Sequence, residues 1–202
     1  IGASPESLVS VKQGQVTTNP IAGTRPRGQD EREDKALAKE LLADEKEVAE
    51  HRMLVDLGRN DIGKIAQNNS VEVTKYMEVE YFRYVMHLTS VVRGQLLPQL
   101  TSMDALKSTL PAGTVSGAPK IRAMKRIYEL EQEKRGVYAG AIGYLSATGD
   151  MDFAIAIRTM ILKNGRAYVQ AGAGIVYDSI PANEYQETIN KAKSMTKIGE
   201  MQ

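Results

Sequence analysis

VYAGAIGYLSATGDMDFAIAIRTMILKNGRAYVQA, residues 137–171, decides the fold class. Its Val, Ile, Tyr and Leu content divides into three strand-like stretches, 137–147, 151–162 and 166–171. They are separated by Ala147-Thr148-Gly149-Asp150 and by Asn164-Gly165. Asn-Gly accepts the positive φ angles that a two-residue hairpin turn imposes, so it joins antiparallel rather than parallel neighbours. An antiparallel meander of this kind excludes the doubly wound parallel sheet.

Working outward, residues 174–177 read as a further short strand. A last helix follows, with Ser179 as its cap and Pro181 near its first turn. Upstream, residues 111–120 form a Gly- and Pro-rich loop that leads into a helix ending near Glu131, and Ser102 caps a short helix over 102–110. Strands are expected over 71–79 and 85–97, after a turn at Gln67-Asn68-Asn69. Asp30 caps one long charged helix from about residue 31 to residue 57, closed by Gly58. Residues 20–28 carry too much Gly and Pro for a regular element, and 7–11 with 15–18 make a hairpin around Gln13-Gly14. The expected class is α+β, with antiparallel β-sheets and helices packed on them.

The bulk composition narrows the chemistry. With 26 Lys and Arg against 25 Asp and Glu in 202 residues, no basic excess exists to neutralise a phosphate backbone, so nucleic acid is not the expected partner. No apolar run approaches the ~20 residues of a membrane span, so no membrane association is expected. The absence of Cys rules out disulfides, thiolate metal sites and a thiol nucleophile on this chain, and a cytoplasmic location is expected.

Two carboxylate pairs stand out: Glu47 with Glu50, and Glu184 with Glu187. Spacing i, i+3 puts each pair on one helix face, and together they offer the all-oxygen ligation that suits Mg²⁺. Solvated helix faces, and a Glu187–Lys191 ion pair at i, i+4, account for the same residues without a metal. His51 lacks the second histidine of a His-Glu-x-x-His zinc motif.

Gly172-Ala173-Gly174 follows a strand, but Tyr177 stands where a dinucleotide fingerprint needs its third glycine. Residues 113–120 lack a P-loop. Both segments can offer backbone N–H groups to an anion, or serve only as tight turns. In residues 152–158, period-two alternation places Ala154, Ala156 and Arg158 on one strand face. An arginine flanked by alanines has room for a bidentate grip on a carboxylate, with an edge arginine in solvent as the alternative. His87, inside a strand, is either structural or a general base.

Taken in order, Ser4-Pro5-Glu6, residues 20–28, residues 44–51 through Arg59-Asn60-Asp61, residues 111–120, 155–159 and 172–187 resemble the chorismate-utilising enzymes over nearly the whole chain. The resemblance implies Mg²⁺ held directly by Glu50 and Glu187, with Glu47 and Glu184 on its waters. It assigns the carboxylates of chorismate to Tyr138, Arg158, Gly172, Ala173, Gly174 and Lys191, with Gly23 and Thr24 also binding substrate. Thr114 lines the pocket, Glu6 protonates the departing C4 hydroxyl, and His87 assists proton removal and pyruvate loss.

Within that family the anthranilate-forming branch fits best. Aminodeoxychorismate-forming relatives carry a nucleophilic Lys where this chain has Ala22. Isochorismate- and salicylate-forming relatives use water and a base expected upstream of residue 1. The expected reaction joins chorismate and ammonia, the latter supplied by a glutamine amidotransferase subunit. Residues 1–202, opening at Ile1 rather than Met, are expected to form a partial chorismate-binding catalytic domain whose N-terminal half is absent. A folded fragment that binds ligand without turnover is the alternative.

Overall fold

Antiparallel pairing and flanking helices, the expected α+β pattern, organise the computed structural model, which describes residues 1–196. The chain separates into two compact units. Of the described residues, the first comprises 1–7, 110–143 and 153–196, and the second 8–109 and 144–152.

In the second unit, β1 (Ser7–Lys12) and β2 (Gln15–Thr18) form the expected hairpin, Lys12 opposite Gln15. The long β5 (Val85–Gln95) is the central strand. Along one edge it pairs with β3 (Ile21–Pro26) and then β2, and along the other with β4 (Glu72–Tyr81). Residues 20–28 were expected to be irregular, yet β3 runs through them. Gly23 absorbs the irregularity as a β-bulge at φ 72°, a conformation open to a residue without Cβ.

The single charged helix expected up to residue 57 is two helices, α1 (Glu31–Ala43) and α2 (Glu45–Gly63). Asp30 caps the first as expected. Asp44 leaves helical geometry at ψ 104° and accepts the N–H groups of Lys46 and Glu47, which starts a new helix in a new direction. Gly58 lies inside α2 and does not end it.

The core of this unit lies where α1 meets β5. Ala38 and Leu41, three apart on the helix, pack with Met86 and Leu88, two apart on the strand. Against β5, α2 buries His51, Leu54, Val55 and Ile62. The approach is close at Gly94, where an added Cβ would stand 2.6 Å from Ile62 Cγ2 and 2.9 Å from Ala66 Cβ. Gly94→Val is therefore expected to lower unfolding free energy by about 1–3 kcal/mol, the usual cost of overpacking, measured by urea denaturation. A neutral result would mean that α2 does not press on the sheet.

In the first unit the chain start runs beside residues 155–160. Ala3 N–H bonds Arg158 O at 3.1 Å, Ile155 N–H bonds Glu6 O at 3.0 Å, and Gly2 bridges Thr159. The strand expected over 151–162 breaks into β7 (Met151–Ile155) and β8 (Met160–Lys163), and the one expected over 137–147 shortens to β6 (Ala141–Leu145). β8 pairs with β9 (Arg166–Val169) through the expected Asn164-Gly165 turn, whose φ angles are 51° and 70°. The loop 111–120 holds one helical turn, α4 (Gly113–Ser116), between α3 (Ser102–Thr109) and α5 (Lys120–Leu130). Residues 174–177 are not a strand, and α6 (Pro181–Thr196) begins at the expected proline. No described helix is long and apolar enough to cross a membrane.

Candidate functional site

The two units each gather a share of the candidate residues. In the second unit the bulge at Gly23 turns its carbonyl off the β3–β5 ladder and toward His87, which stands opposite Thr24 on β5. His87 Nδ1 lies 3.0 Å from Gly23 O and 3.1 Å from Thr24 Oγ1. A carbonyl only accepts, so Nδ1 carries the proton and the lone pair resides on Nε2. That tautomer makes Nε2 the basic nitrogen. The ring of Phe82 tilts against the imidazole at 5.5 Å.

Glu47 belongs to the same group of residues. Its carboxylate oxygen lies 3.3 Å from where a Cβ on Gly23 would stand. Asp44 orients it by capping the first turn of α2, while Arg25 Nη2 holds the other Asp44 oxygen at 2.8 Å. Those contacts hold the Asp44 carboxyl below its ordinary range, the Glu47 N–H first and Arg25 second. Glu47 is pushed up, chiefly by burial and then by the charges of Glu50 and Asp44. Glu50, one turn on, is exposed. Among the described residues no three of His, Asp and Glu gather as ready-made metal ligands. The mutually repelling, oxygen-only pair on α2 is nevertheless a donor set that a hard cation would relieve.

His51 plays a different part. It is fully buried, burial lowers its pKa, and its Nε2 meets Ser90 Oγ at 2.6 Å. Ser90 Oγ also accepts Met77 N–H, at 2.9 Å, in the β4 bulge where φ is 53°.

In the first unit, Glu6 is the focus. Its carboxyl is half-buried, and burial raises its pKa against the opposing effects of a Thr114 hydrogen bond and of the Arg158 and Lys191 charges. Such a group keeps its proton to higher pH than an ordinary carboxyl. Arg158 arrives here by a route the strand reading missed. It adopts φ 48°, and Ile155 and Ala156, neighbours on opposite faces of a regular strand, are both buried at 2% exposure. The alternation that placed Ala154, Ala156 and Arg158 on one face is therefore broken.

Tyr138 precedes Ala139, another left-handed residue at φ 66°, and its hydroxyl lies 2.9 Å from where a Cβ on Gly172 would stand. Gly172 is thus a glycine because Tyr138 occupies the space. The Gly172 carbonyl accepts Lys191 Nζ at 3.1 Å, and Lys191 pairs with Glu187 Oε1 at 2.5 Å. The ordinary i, i+4 ion pair is therefore present. Glu184 is half-buried, Glu187 is exposed, and Gly174 has open space around it.

Sequence reading quoted Asp44 within residues 44–51 but gave it no role of its own, although an Asp three residues before Glu47 has the spacing of a helix N-terminus.

A family model described as chorismate binding enzyme matches residues 1–197. The anthranilate synthase component 1 of Lactococcus lactis is 66% identical over 200 residues, 99% of this chain and 44% of that protein. The crystal structure of anthranilate synthase component I from Streptococcus pneumoniae superposes with a TM-score of 0.90 at 83% identity, covering 97% of this chain and 43% of that one. The menaquinone-specific isochorismate synthase of Escherichia coli aligns at TM-score 0.85 and 29% identity, over 96% of this chain and 44% of that one. This chain thus spans less than half the length of these relatives, and within that span the fold and the sequence agree: it belongs to the chorismate binding enzyme family.

Proposed function

We propose that the chain is the catalytic portion of an anthranilate synthase large subunit, acting in tryptophan biosynthesis. Chorismate and ammonia would give anthranilate, pyruvate and water. The observation that carries this reading is the Glu6 carboxyl, whose pKa burial raises beside Thr114 and the charges of Arg158 and Lys191. A dianionic substrate with a poor leaving group needs that combination: cations for its carboxylates and a proton for the departing hydroxyl. The 83% identity to a solved anthranilate synthase component I favours this branch over the isochorismate synthase at 29%.

In this reading Arg158, Tyr138, Lys191 and the residues 172–174 hold the substrate carboxylates. Glu6 donates its proton to the C4 oxygen, which leaves as water as nitrogen bonds at C2. His87 Nε2 then takes the C2 proton while the enolpyruvyl C–O bond breaks, releasing pyruvate and restoring the aromatic ring. Gly23 and Thr24 fix the tautomer that permits this. Glu50 and Glu187 are assigned to Mg²⁺ directly, and Glu47 and Glu184 to its waters. When bound, the ion supplies positive charge that offsets the substrate's anionic groups.

A glutamine amidotransferase partner in the cytoplasm is proposed as the source of ammonia, since this chain has no Cys to hydrolyse glutamine. Ala22 also fits, having no group with which to attack the ring.

Incubating the protein with chorismate and Mg²⁺, with and without ammonium, and identifying the products tests the reading. Anthranilate that appears only with ammonium is expected. Isochorismate or salicylate formed without ammonium would assign the chain to the water-using branch, and chorismate binding without any product would make it a binding fragment.

A further inference from the structure

We propose that Arg135 is a positioning residue for the proposed reaction, holding both the Thr114–Glu6 side and the Tyr138–Gly172–Lys191 side of the first unit's site in register. The inference rests on the reading of that site as a chorismate pocket. No role in the chemistry falls to Arg135 itself.

Arg135 sits in the turn after α5, and its guanidinium serves three partners at once. Nη1 donates to Val115 O at 2.5 Å. Nη2 and Nε donate to the Glu131 carboxylate at 2.6 and 2.9 Å. The guanidinium face lies over the Tyr138 ring at 5.5 Å, and Tyr138 N–H returns to Arg135 O at 3.0 Å.

Each contact leads to a site residue. Val115 follows Thr114, whose side chain bonds the Glu6 carboxyl. Tyr138 reaches the space above Gly172, whose carbonyl takes Lys191 Nζ. One planar group therefore spans two segments, residues 114–115 and 138, that have no regular secondary structure in common.

Partly exposed ion pairs contribute little to stability, so the pairing with Glu131 alone does not explain the arrangement. What a guanidinium supplies is a rigid fork and a stacking face. Lysine has neither, and its single ammonium cannot reach a carbonyl, a carboxylate and a ring face in fixed geometry. The charge also acts on Tyr138. Burial raises that phenol's pKa most and Arg135 opposes it, so removing the cation moves the phenol further upward.

The test uses Arg135→Lys, Arg135→Gln and the exposed control Arg122→Ala in this chain, with two readouts. Calorimetric binding of chorismate in the presence of Mg²⁺ is expected to weaken about 10- to 100-fold in Arg135→Lys, as misplaced binding groups typically cause, and to stay unchanged in Arg122→Ala. Titration of ¹³Cζ-labelled tyrosine by NMR, with the Tyr138 signal assigned from Tyr138→Phe, is expected to show an upward pKa shift in Arg135→Gln and none in the control. If Arg135→Lys fails to fold, Glu131→Gln, which frees one side of the fork, is expected to produce a smaller loss in binding of the same sign. Chorismate binding by Arg135→Lys as tight as in the parent, or an unmoved Tyr138 titration in Arg135→Gln, overturns the proposal. A parent chain that binds no chorismate sinks the functional reading instead, while the tyrosine titration still decides whether Arg135 governs Tyr138.

Discussion

Glu6→Gln is expected to lower anthranilate formation by about 10²- to 10⁴-fold, the range associated with losing a general acid, and at neutral pH to make the protein more stable. Both effects come from one cause. Burial raises the Glu6 carboxyl above its unfolded value despite Thr114, Arg158 and Lys191. Between the unfolded and folded pKa values the native state therefore holds a proton that the unfolded chain has released. Stability must fall as pH rises through that window, and it stays lower above it. Glutamine has no proton to lose, so its curve lacks this slope.

Urea denaturation of both proteins from about pH 4 to pH 8, which brackets the ordinary carboxylate pKa and the region above it, measures the difference. Turnover by the parent is expected to decline as pH rises through the raised Glu6 value, and Glu6→Gln to lack that limb. An active Glu6→Gln enzyme would remove Glu6 from the chemistry. Identical stability profiles would mean that burial does not raise its pKa.

Glu50→Gln is expected to cost about 10²-fold or more in Mg²⁺-dependent turnover, more than the 10- to 100-fold typical of residues that only support a metal ligand. Glu47→Gln, assigned to a metal-bound water, falls within that smaller range. The amide preserves size and removes the anionic donor that a hard cation requires. Mg²⁺ titrations of anthranilate fluorescence separate the two: Glu50→Gln should raise the Mg²⁺ concentration needed for half-maximal activity more than Glu47→Gln does. Wild-type Mg²⁺ dependence in Glu50→Gln would refute its assignment as a direct ligand.

Much of this was legible residue by residue. The Asn164-Gly165 hairpin, the Asp30 cap and Pro181 at the start of α6 are local signals, in which a side chain or a φ preference acts within a few residues. The same locality explains how the carboxylate pairs could be singled out, since residue type and spacing already carry their chemistry, whereas Glu6 was picked out only by the family resemblance.

Other features were decided by partners remote in sequence. Gly and Pro made residues 20–28 look irregular, but β5, about sixty residues away, recruits them as a strand, with Gly23 taking up the mismatch. That bulge then sets the His87 tautomer, which nothing around His87 in the sequence announces. Arg158 looked like one tooth of a regular strand, and the chain start bonding to residues 155 and 158 accompanies a left-handed turn instead.

The sequence by itself determined the hairpins and most of the helices, which chemistry is available and which family the chain resembles, because these depend on side-chain type and near neighbours. Only the tertiary structure decided the break at Asp44 with its Arg25 partner, the upward shift of the Glu6 pKa and the reach of Arg135. The physical reason is that burial and hydrogen-bond geometry belong to groups brought together across long stretches of chain, and folding must first create that environment before it can shift a proton or aim a guanidinium.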